Sequence, residues 1–138
     1  MNWCSLVPEL TVFDFGRSKF FYVDILGFEI RYQRSGPDFA YLEFEGAQVM
    51  IEEYHAEGWN IDEMVAPLGR GVSFQIECTD SASLASKIKG SDVSLFREIE
   101  VVWYEANGVL VGNKQFLVQD PDGYVLRFTE DMGERRAS

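Results

Sequence analysis

Residues 39–53 read Phe-Ala-Tyr-Leu-Glu-Phe-Glu-Gly-Ala-Gln-Val-Met-Ile-Glu-Glu. An alternating run, an acidic-glycine pair and a second alternating run specify a β-hairpin that turns at Glu45-Gly46. Because side chains alternate between the faces of a strand, the two faces separate by parity. Ala40, Leu42, Phe44, Ala47, Val49 and Ile51 make one wholly apolar face, which must lie against a helix. Phe39, Tyr41, Glu43, Gln48, Met50 and Glu52 make the other, a mixture of rings, carboxylates and an amide. A slip of one residue would exchange the faces and expose the apolar set, so the register is strongly specified. A sheet with one dry and one amphipathic face fits an α+β layer whose second face lines a groove.

The pattern continues on both sides. Upstream, residues 6–13 read as a strand with Pro8 near its start, where a missing donor is tolerable. Ser18 is expected to cap a helix to about Leu26, with Phe21, Ile25 and Phe28 on one face and Gly27 as its stop. Residues 29–33 read as a second strand. Downstream, a linker over 54–70 holds Trp59 and Pro67, and then the plan restarts. Residues 71–78 alternate as a strand, Asp80 or Ser81 caps a helix to about Lys89, and a short strand covers 101–104. A turn at Asn107-Gly108 leads to a second hairpin, 115–119 and 124–130, closed by Asp120-Pro121-Asp122-Gly123. Residues 131–138 read as a frayed tail. Both halves therefore run strand–helix–strand–strand–strand. Met50 lies four residues past Gly46, and Arg127 four past Gly123. This internal repeat is a stronger fold signal than any one element.

Composition narrows the function. The 138 residues amount to one domain of two modules, about 5–53 and 71–130, and 46% hydrophobic residues suffice for a core. Lys and Arg total 12 against 23 Asp and Glu, a formal charge of −11. That balance opposes binding to nucleic acid or anionic membrane and favours a cationic partner. Cys4 and Cys78 have neither disulfide-framework nor zinc spacing. With no leader pattern and no apolar run of membrane length, a cytoplasmic location is expected. His55, the one histidine, sits in the acidic stretch Glu52-Glu53-Tyr54-His55-Ala56-Glu57 as a solvated residue. Asp120 and Asp122 lack the distal Glu of a calcium loop, so a β-turn is expected there. Phosphate-loop and nucleophile signatures are missing.

Phe21-Tyr22 with Leu26-Gly27-Phe28, then Phe74, Asp80 and above all Asp120-Pro121-Asp122-Gly123-Tyr124, resemble the vicinal oxygen chelate superfamily. That group includes glyoxalase I, extradiol dioxygenases, fosfomycin-resistance transferases and bleomycin-resistance proteins. The resemblance spans about residues 5–130. It implies an α+β fold of two βαβββ modules whose mixed sheets curl into a cup with flanking helices, completed by homodimerisation. Metal-dependent members place four ligands, mostly His and Glu, on the cup face. The matching positions here hold Val7, Met50, Gly71 or Ser73, and Arg127. None is an ordinary ligand for a hard or borderline divalent ion, and Arg127 would repel one. No metal and no cofactor is therefore expected.

Function then falls to the remaining side chains of that face. Strand parity and the resemblance together assign it Glu9, Thr11 and Phe13, the hairpin set above, Ser73, Gln75, Glu77, Phe116, Val118, Arg127 and Thr129. Aromatic faces stack on planar groups and attract cations, and nearby carboxylates orient them. The candidate ligand-binding residues are Phe39, Tyr41, Glu43, Met50, Glu52, Trp59, Trp103, Phe116 and Arg127. An Arg127 salt bridge to Glu52 or Glu77 is also expected, in place of a metal. The resemblance is nearest to the metal-free bleomycin-resistance branch, which implies a homodimer sequestering a cationic antibiotic. The alternative is a superfamily enzyme with a relocated metal at Glu9, Glu52 and His55.

Overall fold

In the computed structural model of the chain, residues 2–137 are described. They divide into two compact units, residues 2–70 with 120–124, and residues 71–119 with 125–137. Each contains an open four-stranded mixed sheet.

The first sheet is built from β1 (Glu9–Val12), β2 (Glu29–Arg34), β3 (Phe39–Phe44) and β4 (Ala47–Glu53), in the order β1-β4-β3-β2. β1 runs parallel to β4, and the other neighbours are antiparallel. The hairpin has the expected strands and register, with Phe39 opposite Glu52, Tyr41 opposite Met50 and Glu43 opposite Gln48. Its turn places Glu45 and Gly46 at positive φ, as a tight hairpin turn requires. Helix α1 runs from Phe15 to Lys19 and continues as a wider π-helical stretch, Phe20–Leu26. Its cap is Asp14, whose carboxylate accepts from the Arg17 N–H at 3.1 Å. Ser18, expected to cap, is instead inside the helix and buried. Gly27, at φ 95°, ends the helix as expected. Phe21, Tyr22, Ile25 and Leu26 join the apolar face of the sheet in one core with Leu42 and Ile51.

The second sheet comprises β5 (Ser73–Glu77), β6 (Arg97–Ala106), β7 (Val109–Gln119) and β8 (Val125–Arg136), ordered β5-β8-β7-β6. Again the first strand is parallel to the last and the rest are antiparallel. Helix α2 (Ser81–Gly90) is capped by Asp80, and Leu84, Ala85 and Ile88 are buried. β5 is shorter than the expected 71–78, whereas β6, β7 and β8 exceed their expected lengths. Residues 131–136, read as a frayed tail, continue β8 opposite Val109, Leu110 and Val111. The polar composition of Asp-Met-Gly-Glu-Arg-Arg hid this, because exposed strand positions need no apolar side chain. Ser138 lies outside the described residues.

Candidate functional site

Five expected site residues share one face of the first sheet. The pairings Phe39–Glu52, Tyr41–Met50 and Glu43–Gln48 put all of them on the side opposite Leu42 and Ile51. β1 adds Glu9 beside Met50 and Thr11 beside Glu52. β2 adds two residues that the sequence reading missed, Tyr32 and Arg34. A bulge between Ile30 and Tyr32 shifts the register, so Tyr32 comes opposite Tyr41 and Arg34 opposite Phe39. Unbroken parity would have turned Tyr32 to the core.

The rings form a continuous platform. Tyr32 stacks on Tyr41 with centroids 5.3 Å apart and lies 5.8 Å from Phe39. Trp3, ahead of β1 and also missed, meets Tyr41 edge-on at 5.0 Å and Tyr32 at 6.0 Å. The Arg34 guanidinium sits 3.9 Å from the Phe39 centroid and 5.7 Å from that of Tyr32. A planar cation of the chain itself thus rests on the platform. Beside it, partial burial and the Glu52 charge raise the Glu9 carboxyl above its usual range, while Arg34 pulls the other way.

Not every acid there is available. Glu43 accepts from Arg31 and from Gln48, and these bonds hold its carboxyl below the usual range. Glu52 stands 3.7 Å from His55. Yet no three His, Cys, Asp or Glu side chains among the described residues gather as a metal would need, so Glu9, Glu52 and His55 make no such site. The fold-family positions fare no better. Glu9–Met50 in the first sheet corresponds to Gln75–Arg127 in the second, each the parallel pair four residues past a turn glycine. Val7, two before Glu9, therefore corresponds to Ser73 and not Gly71, which precedes the strand. Val7, Met50, Ser73 and Arg127 do not fit a divalent ion.

The remaining expected site residues are elsewhere. Trp59 projects from the 54–72 loop, 94% exposed. Trp103 lies flat over Gly112 with the Arg135 guanidinium 4.2 Å from its ring, and a Cβ on Gly112 would come within 2.6 Å of the indole. Phe116 is wholly buried, stacked on Phe128 at 5.4 Å. The register puts Leu117 opposite Arg127, so Phe116 and Val118 face the core, contrary to expectation. Arg127 donates to Gln75 Oε1, and the expected bridge to Glu77 is not formed.

The turn Asp120–Tyr124, part of the first unit, is structural. Asp120 Oδ1 accepts from the N–H groups of Asp122, Gly123 and Tyr124 at 2.9–3.0 Å. Its Oδ2 accepts from the Tyr22 hydroxyl at 2.7 Å. Burial outweighs these bonds and pushes the Asp120 carboxyl up to about 6. Gly123, at φ 108°, has no substitute, since a Cβ would meet Pro67 at 2.5 Å.

This geometry has relatives. Residues 2–128 match the Glyoxalase/Bleomycin resistance protein/Dioxygenase superfamily. The chain belongs to that superfamily. A member from Vibrio splendidus 12B01 is 38% identical, covering 89% of this chain and 95% of its own, with a TM-score of 0.42. TioX from Micromonospora sp. ML1 is 18% identical over 92% and 95%, with a TM-score of 0.65. The fosfomycin resistance protein FosX from Listeria monocytogenes is 18% identical over 94% and 92%, at 0.59. No curated protein matches the chain. As superfamily modules, the two repeats are βαβββ units. No helix among the described residues is long and apolar enough to cross a membrane.

Proposed function

We propose that this superfamily member is a metal-independent small-molecule binding protein of the bleomycin-resistance type. It holds a planar, cationic drug or metabolite on the aromatic face of its first sheet. One observation carries the reading: the Arg34 guanidinium already lies 3.9 Å from the Phe39 centroid, with Tyr32 beside it. A guanidinium is a planar cation, so its seat on these rings supports the same contact with a ligand. Glu9 and Glu52 border that spot. The ligand displaces Arg34, and the two carboxylates then orient its charge.

In this proposal the protein works as a cytoplasmic homodimer, whose mass in solution sedimentation measures. Isothermal titration with a bleomycin-family glycopeptide tests the ligand. Saturable heat that weakens with added salt is expected. No heat and no chemical-shift change at millimolar ligand would remove the bleomycin type from consideration.

A further inference from the structure

Gln48 is buried in β4, and all four hydrogen-bonding positions of its carboxamide are used. Its Nε2 donates to Glu43 Oε1 and to the Asn2 carbonyl, both at 2.6 Å. Its Oε1 accepts from the Tyr41 hydroxyl at 2.5 Å and from the Cys4 N–H at 2.8 Å. The partners fix which end is which, because a carbonyl and an ionised carboxylate only accept and a backbone N–H only donates. The carboxamide thus reads the carbonyl before Trp3 and the N–H after it. Between those bonds the Trp3 indole meets Tyr41 and Tyr32 edge-on. Trp3 itself stays 55% exposed, and residues 2–6 are exposed throughout. Only Gln48, the two tyrosine rings and a Cys4 Sγ bond to the Gly46 carbonyl hold this segment among the contacts described.

We infer that this corner is a recognition site for a peptide-like ligand: a planar aromatic group carried between a carbonyl and an N–H. Residues 2–4 occupy it as an internal copy of such a ligand. The inference rests on the binding reading above and specifies its ligand class further. The aromatic group takes the place of Trp3 against Tyr32 and Tyr41, while Gln48 reads the amides on either side. Glu43 and Tyr41 hold the carboxamide in the orientation required. Because the chain's own segment fills the site, an external ligand binds only to the fraction of molecules in which that segment has left.

The test uses the full chain and the probe N-acetyl-Asn-Trp-Ser-amide, followed by NMR titration of the tyrosine and Gln48 side-chain signals. Trp3→Ala is expected to bind the probe at least about tenfold more tightly than the wild type, as self-occupancy near nine-tenths requires. Methylating the Ser amide nitrogen of the probe removes the N–H that Gln48 reads and keeps the ring. That probe should bind Trp3→Ala about tenfold more weakly, the effect of one lost bond of about 1.4 kcal/mol. Gln48→Met in the same background removes both bonds and should weaken the unmethylated probe by about a hundredfold, and the methylated probe makes the test independent of that variant's folding. No saturable shift with Trp3→Ala at millimolar probe, or equal binding of the two probes, would overturn the inference. A planar cation titrated into the same proteins separates the two claims. If it binds and the peptide does not, only the peptide inference fails; if neither binds, both fail.

Discussion

The first sheet turns rings away from its helix, while the equivalent face of the second offers amides, hydroxyls, carboxylates and guanidinium groups. Tyr32, Phe39 and Tyr41 line the one; Gln75, Gln115, Arg127 and Thr129 line the other. The hairpin turns differ in the opposite sense. The turn at Gly46 leaves open space where a Cβ would go, whereas the turn after β7 is buried and tied down through Asp120 and Asp122. The shared strand order and the matched Glu9–Met50 and Gln75–Arg127 pairs keep one scaffold in both. The aromatic face and the anchored turn lie on different copies of the same plan, so neither can be assigned from the repeat alone.

Breaking the better-anchored turn should have the largest effect. Asp120→Ala strands three N–H groups and the Tyr22 hydroxyl, with a loss of roughly 3 kcal/mol or more. Thermal melting should fall by about 10 °C. Glu45→Asn in the other turn, where Asn tolerates the positive φ, should move it by no more than about 2 °C. Equal effects at the two turns would erase the distinction between them.

The same carboxyl should show in a pH series. With a folded pKa of about 6 against 3.8, Asp120 contributes stability that is fully present below 3.8 and lost as pH rises through 6. The span corresponds to roughly 3 kcal/mol at most. Asp120→Asn keeps an acceptor for the turn and cannot ionise, so its stability relative to wild type should rise between pH 4 and 7 in urea melts. A constant difference would show that Asp120 does not titrate there.

Smaller effects should distinguish the faces. Glu9→Gln with Glu52→Gln should weaken a planar cation about fivefold at low salt, an amount typical of partly screened charges. Glu77→Gln, on the second sheet, should leave affinity unchanged. Arg34→Ala should strengthen the same cation about threefold, because the platform is then vacant. Weaker binding would mean that Arg34 is part of the site and not its competitor. Arg127→Leu should alter stability little in a thermal melt, since it loses the Gln75 bond but also an unpaired buried Nε, for a net change within about 1 kcal/mol.

Much of this was legible in the sequence, and the exceptions are physical. Alternation over 39–53 gave the hairpin and its faces because one face is dry. The glycines at 27, 46 and 123 marked real stops and turns. Parity failed where the chain departs from period two: the bulge that turns Tyr32 outward is silent in the residue pattern. Phe116 and Arg127 could not share a face, since they differ by an odd number across a register that the sequence leaves open. Trp3 was invisible because it reaches the platform from outside any strand. The acids were counted as one pool, but Glu43 is engaged by Arg31 and Gln48, leaving Glu9 and Glu52 as the better candidates for a cation. Thus the charge of −11 is only in small part a property of the site.

The central claim is that the ring-bearing face of the first sheet binds the ligand. Chemical-shift mapping of the full chain with a bleomycin-family glycopeptide tests it most directly. Saturable shifts should concentrate on Tyr32, Phe39, Tyr41, Met50 and Glu52 and diminish in Tyr41→Ala. Shifts confined to Gln75, Gln115 and Arg127, or none at millimolar ligand, would contradict it.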